Sequence, residues 1–139
     1  MKTQLNPYLN FAGNCEEAFN FYKKVFGGEF SSITRFKDLQ MPDAPPMPKE
    51  DENKIMHKAL PVGDSILMGN TPEEMELKVN MGNNIYISIA PSSRDETTRL
   101  FNEITKDGVI EMSIGDQPWR ATSPRLKMFM ALCGCYALL

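Results

Sequence analysis

The one histidine of the chain, His57, stands in the stretch "KIMHKALPV". A neutral imidazole with a reference pKa of about 6.5 can act as a general base or as a metal ligand. A lone group rarely suffices without an orienting partner, so a hydrogen-bonded strand residue is the plainer reading. Cys133 and Cys135 form a Cys-x-Cys pair, but no further cysteine or histidine lies near them in sequence. They fall short of the four ligands of a structural zinc site. Trp119, after "GDQP", suits the aromatic wall of an apolar pocket and equally a large packing residue. Glu111 in "VIEMSIG" reads as part of a solvated strand face. Tyr8 and Tyr86 read as core residues at matching places in a repeat, and Asp64 in "VGDS" as a turn residue.

These residues are positioned by two similar halves. "NPYLNFAGNCEEAFNFYKKVFGGEF" from Asn6 aligns with "NNIYISIAPSSRDETTRLFNEITKDGVI" from Asn83. Asn6, Tyr8 and Ala12 recur as Asn84, Tyr86 and Ala90; one residue of insertion later, Glu16, Phe21, Tyr22 and Val25 meet Asp95, Leu100, Phe101 and Ile104. Such a repeat indicates an internal duplication. Each copy opens with an alternating strand, "YLNFA" or "IYISIA". Asn14 with Glu17, and Ser92 with Asp95, have capping-box spacing and predict helix starts. Ala18, Phe21, Tyr22 and Val25 then share one helical face, as do Thr97, Leu100, Phe101 and Ile104. Gly27-Gly28 and "KDG" end the helices.

Strands follow in "EFSSITRF", "KIMHKALPV" and "SILMGN", the last two joined by a Gly63-Asp64 turn. Alternation leaves the face of His57 open: Ile55 and Ala59 share its side, and Met56, Lys58 and Leu60 the other. "KDLQMPDAPPMPKEDEN" is a Pro-rich surface loop, and "TPEEMELKVNMGN" links the halves. Each half therefore reads βαβββ. The predicted class is α+β, a single domain over residues 1–139 built from modules 1–70 and 84–139.

Composition narrows the function classes. With 42% hydrophobic and 24% charged residues, the chain reads as a soluble globular protein. Net charge is −3 and no basic run appears, which argues against nucleic acid as a partner. The start, "MKTQLNPYLNF", lacks the apolar core of a signal peptide. Three cysteines make a disulfide framework improbable, so a cytoplasmic setting is expected. The uncharged run from Met128 to Leu139 is too short for a membrane span of about 20 residues.

The duplicated βαβββ plan is that of the vicinal oxygen chelate superfamily of glyoxalase I, bleomycin-resistance proteins and extradiol dioxygenases. "NPYLNFAGNCEEAFNFYKKVFGGEF", "KIMHKALPVGDSILMGN", "NNIYISIAPSSRDE" and "GDQPW" closely resemble its PhnB-like branch, often named 3-demethylubiquinone-9 3-methyltransferase. The resemblance spans residues 4–119. It implies modules that form a cupped mixed sheet, a homodimer, and a small-molecule ligand held in the cup. In the wider superfamily a divalent metal sits there on His, Glu or Gln from the first and last strands of each module. Here those strands offer Asn6, Tyr8 and Asn10, then Leu67, Met68 and Asn70, then Tyr86 and Ser88, so the usual ligand tetrad is not expected.

A metal-free binding protein of the bleomycin-resistance kind is the preferred expectation. Its pocket candidates are His57, Trp119, Tyr8 and Met68. The alternative is a divalent-metal-dependent enzyme of the lyase, isomerase or dioxygenase type, with His57 as a ligand or base. Methyl transfer lacks support, because no glycine-rich strand-to-helix turn for a nucleotide-like cofactor is present and "FGGEF" runs from helix to strand.

After Trp119 the resemblance stops. The branch closes on a motif like D-x-(F/Y)-G-x-x-W-x-(L/V), and "RATSPRLKMFMALCGCYALL" has none. Taking the third base of each codon with the first two of the next, from Lys127, restores Asp or Asn, Val, Tyr or His, Gly, then a small residue. Met, Leu or Val, Trp or Arg, Met, Leu or Val, and Leu follow. Residues 120–139 are accordingly suspected to be frame-shifted; the alternative is a divergent apolar C-terminal strand packing in the same place.

Overall fold

The computed structural model describes residues 3–39, 47–72, 78–80, 82, 85–106, 109–110, 127–130 and 135–138. The chain divides into two compact units, Met1–Asn80 and Met81–Leu139.

The first unit runs β1 (Tyr8–Asn10), α1 (Cys15–Phe26), β2 (Ser32–Arg35), a 3-10 turn (Phe36–Leu39), β3 (Ile55–Val62) and β4 (Ser65–Asn70). Its sheet has the order β1–β4–β3–β2. β1 and β4 are parallel, with Tyr8 opposite Met68 and Asn10 opposite Asn70. β3 is antiparallel to both neighbours, and the β2 register shifts between Thr34 and Arg35. Gly63, at φ 58°, supplies the left-handed residue that the tight β3–β4 turn requires.

The second unit runs β5 (Tyr86–Ser88), α2 (Arg94–Ile104), β6 (Val109–Ile110), β7 (Lys127–Met130) and β8 (Cys135–Leu138). Its order is β5–β8–β7–β6, and β5 is again parallel to β8, with Tyr86 opposite Tyr136. The two sheets therefore share one topology, βαβββ, and the tail provides the last hairpin of the second. Tyr8 and Tyr86 both open their modules' first strands, as the sequence shift of 78 implies.

The helices depart from expectation in detail. Helix α1 buries Cys15, Ala18, Phe19, Tyr22 and Val25. Its face is thus rotated from the expected one: Phe19 is fully buried and Phe21 only half-buried. Phe19 wins because it meets Phe11 edge-on at 5.9 Å and Tyr22 at 5.8 Å between ring centroids. Asn14 precedes α1 with φ −105° and ψ 23° and makes no side-chain cap hydrogen bond, so the expected capping box does not form there. In α2 the cap is Ser93 rather than Ser92. Its extended backbone aims Oγ at the Glu96 N–H, which donates at 3.1 Å.

Helix α1 packs on the sheet face of Leu60, Leu67 and Gly69. A Cβ at Gly69 would stand 2.8 Å from the Leu9 carbonyl oxygen, 2.8 Å from Phe19 Cε2 and 2.9 Å from Phe11 Cε2. The same face holds Lys58, only 2% exposed. Its ammonium donates to Asn20 Oδ1 at 3.2 Å and lies 4.1 Å from the Phe30 ring centroid. Burial, above all, lowers its pKa below the ordinary 10.5.

Two stability predictions follow from this seam. Gly69→Ala should cost about 1–3 kcal/mol by overpacking, seen as a lower urea midpoint with unchanged slope. Lys58→Met should stabilise the chain at neutral pH by on the order of 1 kcal/mol. The folded state holds the Lys58 proton less tightly than the unfolded state does. Its destabilising contribution is therefore full below the depressed pKa and fades as pH rises toward 10.5. The advantage of the Met variant should accordingly shrink across that alkaline window in pH-resolved urea titrations.

Candidate functional site

Strand alternation separates two chemistries on the first sheet. Lys58 and Gly69, opposite one another, point to α1. Tyr8, Met68 and Ala59 are register partners on the other face. His57 lies two residues from Ala59 on β3 and pairs with Thr34 of β2. Asn10 and Asn70, also opposite one another, complete the row. The face of His57, which sequence left open, is thus the one away from the helix.

Three of the expected pocket residues come together there. The Tyr8 hydroxyl lies 3.4 Å from His57 Nδ1, with ring centroids 5.8 Å apart and planes tilted by 31°. Met68 sits beside Tyr8 on the adjoining strand. Tyr8 is 47% exposed, while His57 and Met68 are half-buried. Partial burial, and secondarily the charge Cys15 would carry as a thiolate, raises the Tyr8 phenol above its ordinary 10.0. It is therefore a neutral hydrogen-bonding group at physiological pH. The fourth expected residue, Trp119, lies outside the described residues, as do Glu111 and Cys133.

Asn70 is among the positions that the module's last strand offers, but not among the expected pocket residues. Its Oδ1 is buried and has no hydrogen-bond partner among the described residues. A buried amide oxygen without a donor is uncommon and costs free energy. Only its place opposite Asn10, at the end of β4, could have drawn attention to it. Cys15 is excluded as a nucleophile: it is fully buried, and burial pushes its thiol up to about 12. Glu16 is likewise engaged. Arg35 donates to both its oxygens, at 3.0 and 2.6 Å, and those hydrogen bonds hold its carboxyl below the usual range.

A divalent metal of the superfamily kind needs anionic or imidazole ligands. Tyr8, Asn10, His57, Met68 and Asn70 on the face of the first sheet supply one imidazole and no carboxylate. Among the described residues no three of His, Cys, Asp and Glu group as a metal site. Nor is any described helix long and apolar enough to cross a membrane.

The contact at the centre of this face has a direct test. Tyr8→Phe removes the hydroxyl and keeps the ring, so stability should change by no more than about 0.5 kcal/mol. The His57 ring signals in a ¹H–¹³C spectrum should nevertheless move; unmoved signals would show that the 3.4 Å contact does not persist in solution.

Comparison with known proteins agrees with this architecture. The profile of the family described as 3-demethylubiquinone-9 3-methyltransferase matches residues 3–120. Protein PA1353 from Pseudomonas aeruginosa is similar at 28% identity, covering 99% of this chain and 96% of that one with a TM-score of 0.81. A PhnB protein from Bacillus cereus has the same fold at 21% identity, with 99% and 98% coverage and a TM-score of 0.67. Protein YjdN of Escherichia coli K12 is 23% identical over 122 residues, which is 83% of this chain and 81% of YjdN. With a family match over most of its length and a duplicated βαβββ plan, the chain belongs to the 3-demethylubiquinone-9 3-methyltransferase family, PhnB-like proteins of the vicinal oxygen chelate fold.

Proposed function

We propose that this protein binds a small, partly aromatic molecule on the sheet face that carries Tyr8, His57 and Met68. The observation that carries the reading is the Tyr8–His57 contact at 3.4 Å beside the unpartnered Asn70 oxygen. Two tilted rings and a thioether give adaptable apolar contact. The phenol and the imidazole give hydrogen-bond donors and acceptors for the polar edge of a ligand. Few polar groups placed among apolar ones is the usual composition of a ligand site. The family name denotes methyl transfer, but this face supports recognition rather than group transfer.

Benzamide, an aromatic ring with N–H donors, is a suitable probe. It should shift the NMR signals of Tyr8, His57 and Met68 saturably, and N,N-dimethylbenzamide, without the donors, should bind about ten-fold more weakly. His57→Ala should weaken benzamide by a similar factor. Equal binding of the two amides, or no effect of His57→Ala, would refute the reading. A stoichiometric divalent metal that purifies with the native chain and is lost in His57→Ala would replace it with metal-dependent catalysis.

We further propose that residues 120–139 are read out of frame. The family match ends at residue 120, where the written sequence departs from the family's closing motif. Intact mass and a C-terminal peptide map of the protein made from its native gene should fit the shifted frame. Peptides from "RLKMFMALCGCYALL" would show instead that the apolar tail is genuine.

A further inference from the structure

We infer that Arg35 is a positioning residue for the face of Tyr8, His57 and Met68: it clasps a β-bulge, and the bulge aims His57 toward Tyr8. The role rests on the reading of that face as a ligand site. Along β2 the register runs Ser32 to Ala59, Ile33 to Lys58 and Thr34 to His57, then steps to Arg35 opposite Ile55. Met56 is the residue skipped, so β3 carries one extra residue immediately before His57. A bulge of this kind bends its strand and re-aims the side chains beside it.

The step separates two residues that plain alternation would keep together. Without it, Ile55 and His57 would share one face of the sheet. Across the bulge, Ile55 instead pairs with Arg35, whose guanidinium reaches Glu16 in the first turn of α1. Ile55 is accordingly buried toward the helix side, at 2% exposed, while His57 stays opposite Thr34 and faces away.

Arg35 holds the step from several sides. Its Nη1 and Nη2 donate to the two Glu16 oxygens at 3.0 and 2.6 Å, a bidentate grip on α1. Nη1 also donates to the Asn53 carbonyl at 2.6 Å, on the chain just entering β3. The Arg35 backbone N–H donates to Asp38 Oδ2 at 2.8 Å, and the next residue, Phe36, donates its N–H to the Lys54 carbonyl at 3.3 Å. One side chain thus joins the helix, the entry to β3 and the bulge. A partly exposed ion pair adds little stability by itself. What this one supplies is geometry, because it fixes where β3 takes its extra residue.

The test uses the full chain and is read at His57. In ¹H–¹³C spectra Arg35→Gln should move the His57 ring signals, and it should weaken benzamide about ten-fold, under conditions where urea titration shows both chains folded. Arg35→Lys keeps the charge but loses the fork, so it should behave like Arg35→Gln. Glu16→Gln, a milder change on the exposed end of the clasp, should move the same signals in the same direction. The double variant should go no further than Arg35→Gln, since both changes break one unit. Lys106→Gln, which breaks the 2.9 Å pair with Glu103 of α2, should leave His57 unmoved. A clasp that merely stabilised the fold would lower the urea midpoint and leave ring signals and affinity in place. That result, or full recovery in Arg35→Lys, would overturn the role. If benzamide fails to bind the native chain, the ligand reading falls by itself, and the His57 signals alone decide whether Arg35 positions the ring.

Discussion

The first module is built around the approach of two aromatic rings to a strand that has no side chain in the way. Phe11 and Phe19 close over β4 at Gly69, where even a methyl group would press within 3 Å of both rings and of the Leu9 carbonyl. This fixes how near α1 sits to the sheet. It also ties the end of β1 to β4, because Phe11 donates its backbone N–H to the Asn70 carbonyl at 3.0 Å. Once β1 and β4 are held parallel in that register, Tyr8 stands beside Met68 and Asn10 beside Asn70. The candidate site is the reverse side of a packing contact.

Lys58 shows how much the helix side tolerates to keep that arrangement. An ammonium in a core ordinarily demands a carboxylate partner. This one relies on an amide oxygen and the face of Phe30, while Lys23 also approaches the same ring at 5.3 Å. Alternation makes the choice of face absolute: a strand that turns Lys58 inward must turn His57 outward. The buried lysine and the available histidine are thus two consequences of one register.

The second module repeats the topology with different residues. A parallel pair of first and last strands, with the last strand's hairpin partner on its other side, recurs although the tail shares little with "KIMHKALPVGDSILMGN". Such a sheet is specified by strand length, alternation and turn position more than by particular side chains. The site is not so forgiving, since chemistry belongs to named residues grafted on a shared fold.

The sequence by itself determined the duplicated βαβββ plan, because its signals are local: apolar periodicity, caps, glycine stops and a 78-residue shift between Tyr8 and Tyr86. It also singled out Tyr8, His57 and Met68 as candidates. Which face His57 takes was not legible, since its neighbours at i±1 and i±2 are both largely apolar. Nor was the helical face of α1, where Phe19 and Phe21 compete and only contact with Phe11 decides. The unpartnered Asn70 oxygen belongs wholly to tertiary structure. Hydrogen-bond satisfaction and cavity walls arise between residues distant in sequence, and no local pattern encodes them.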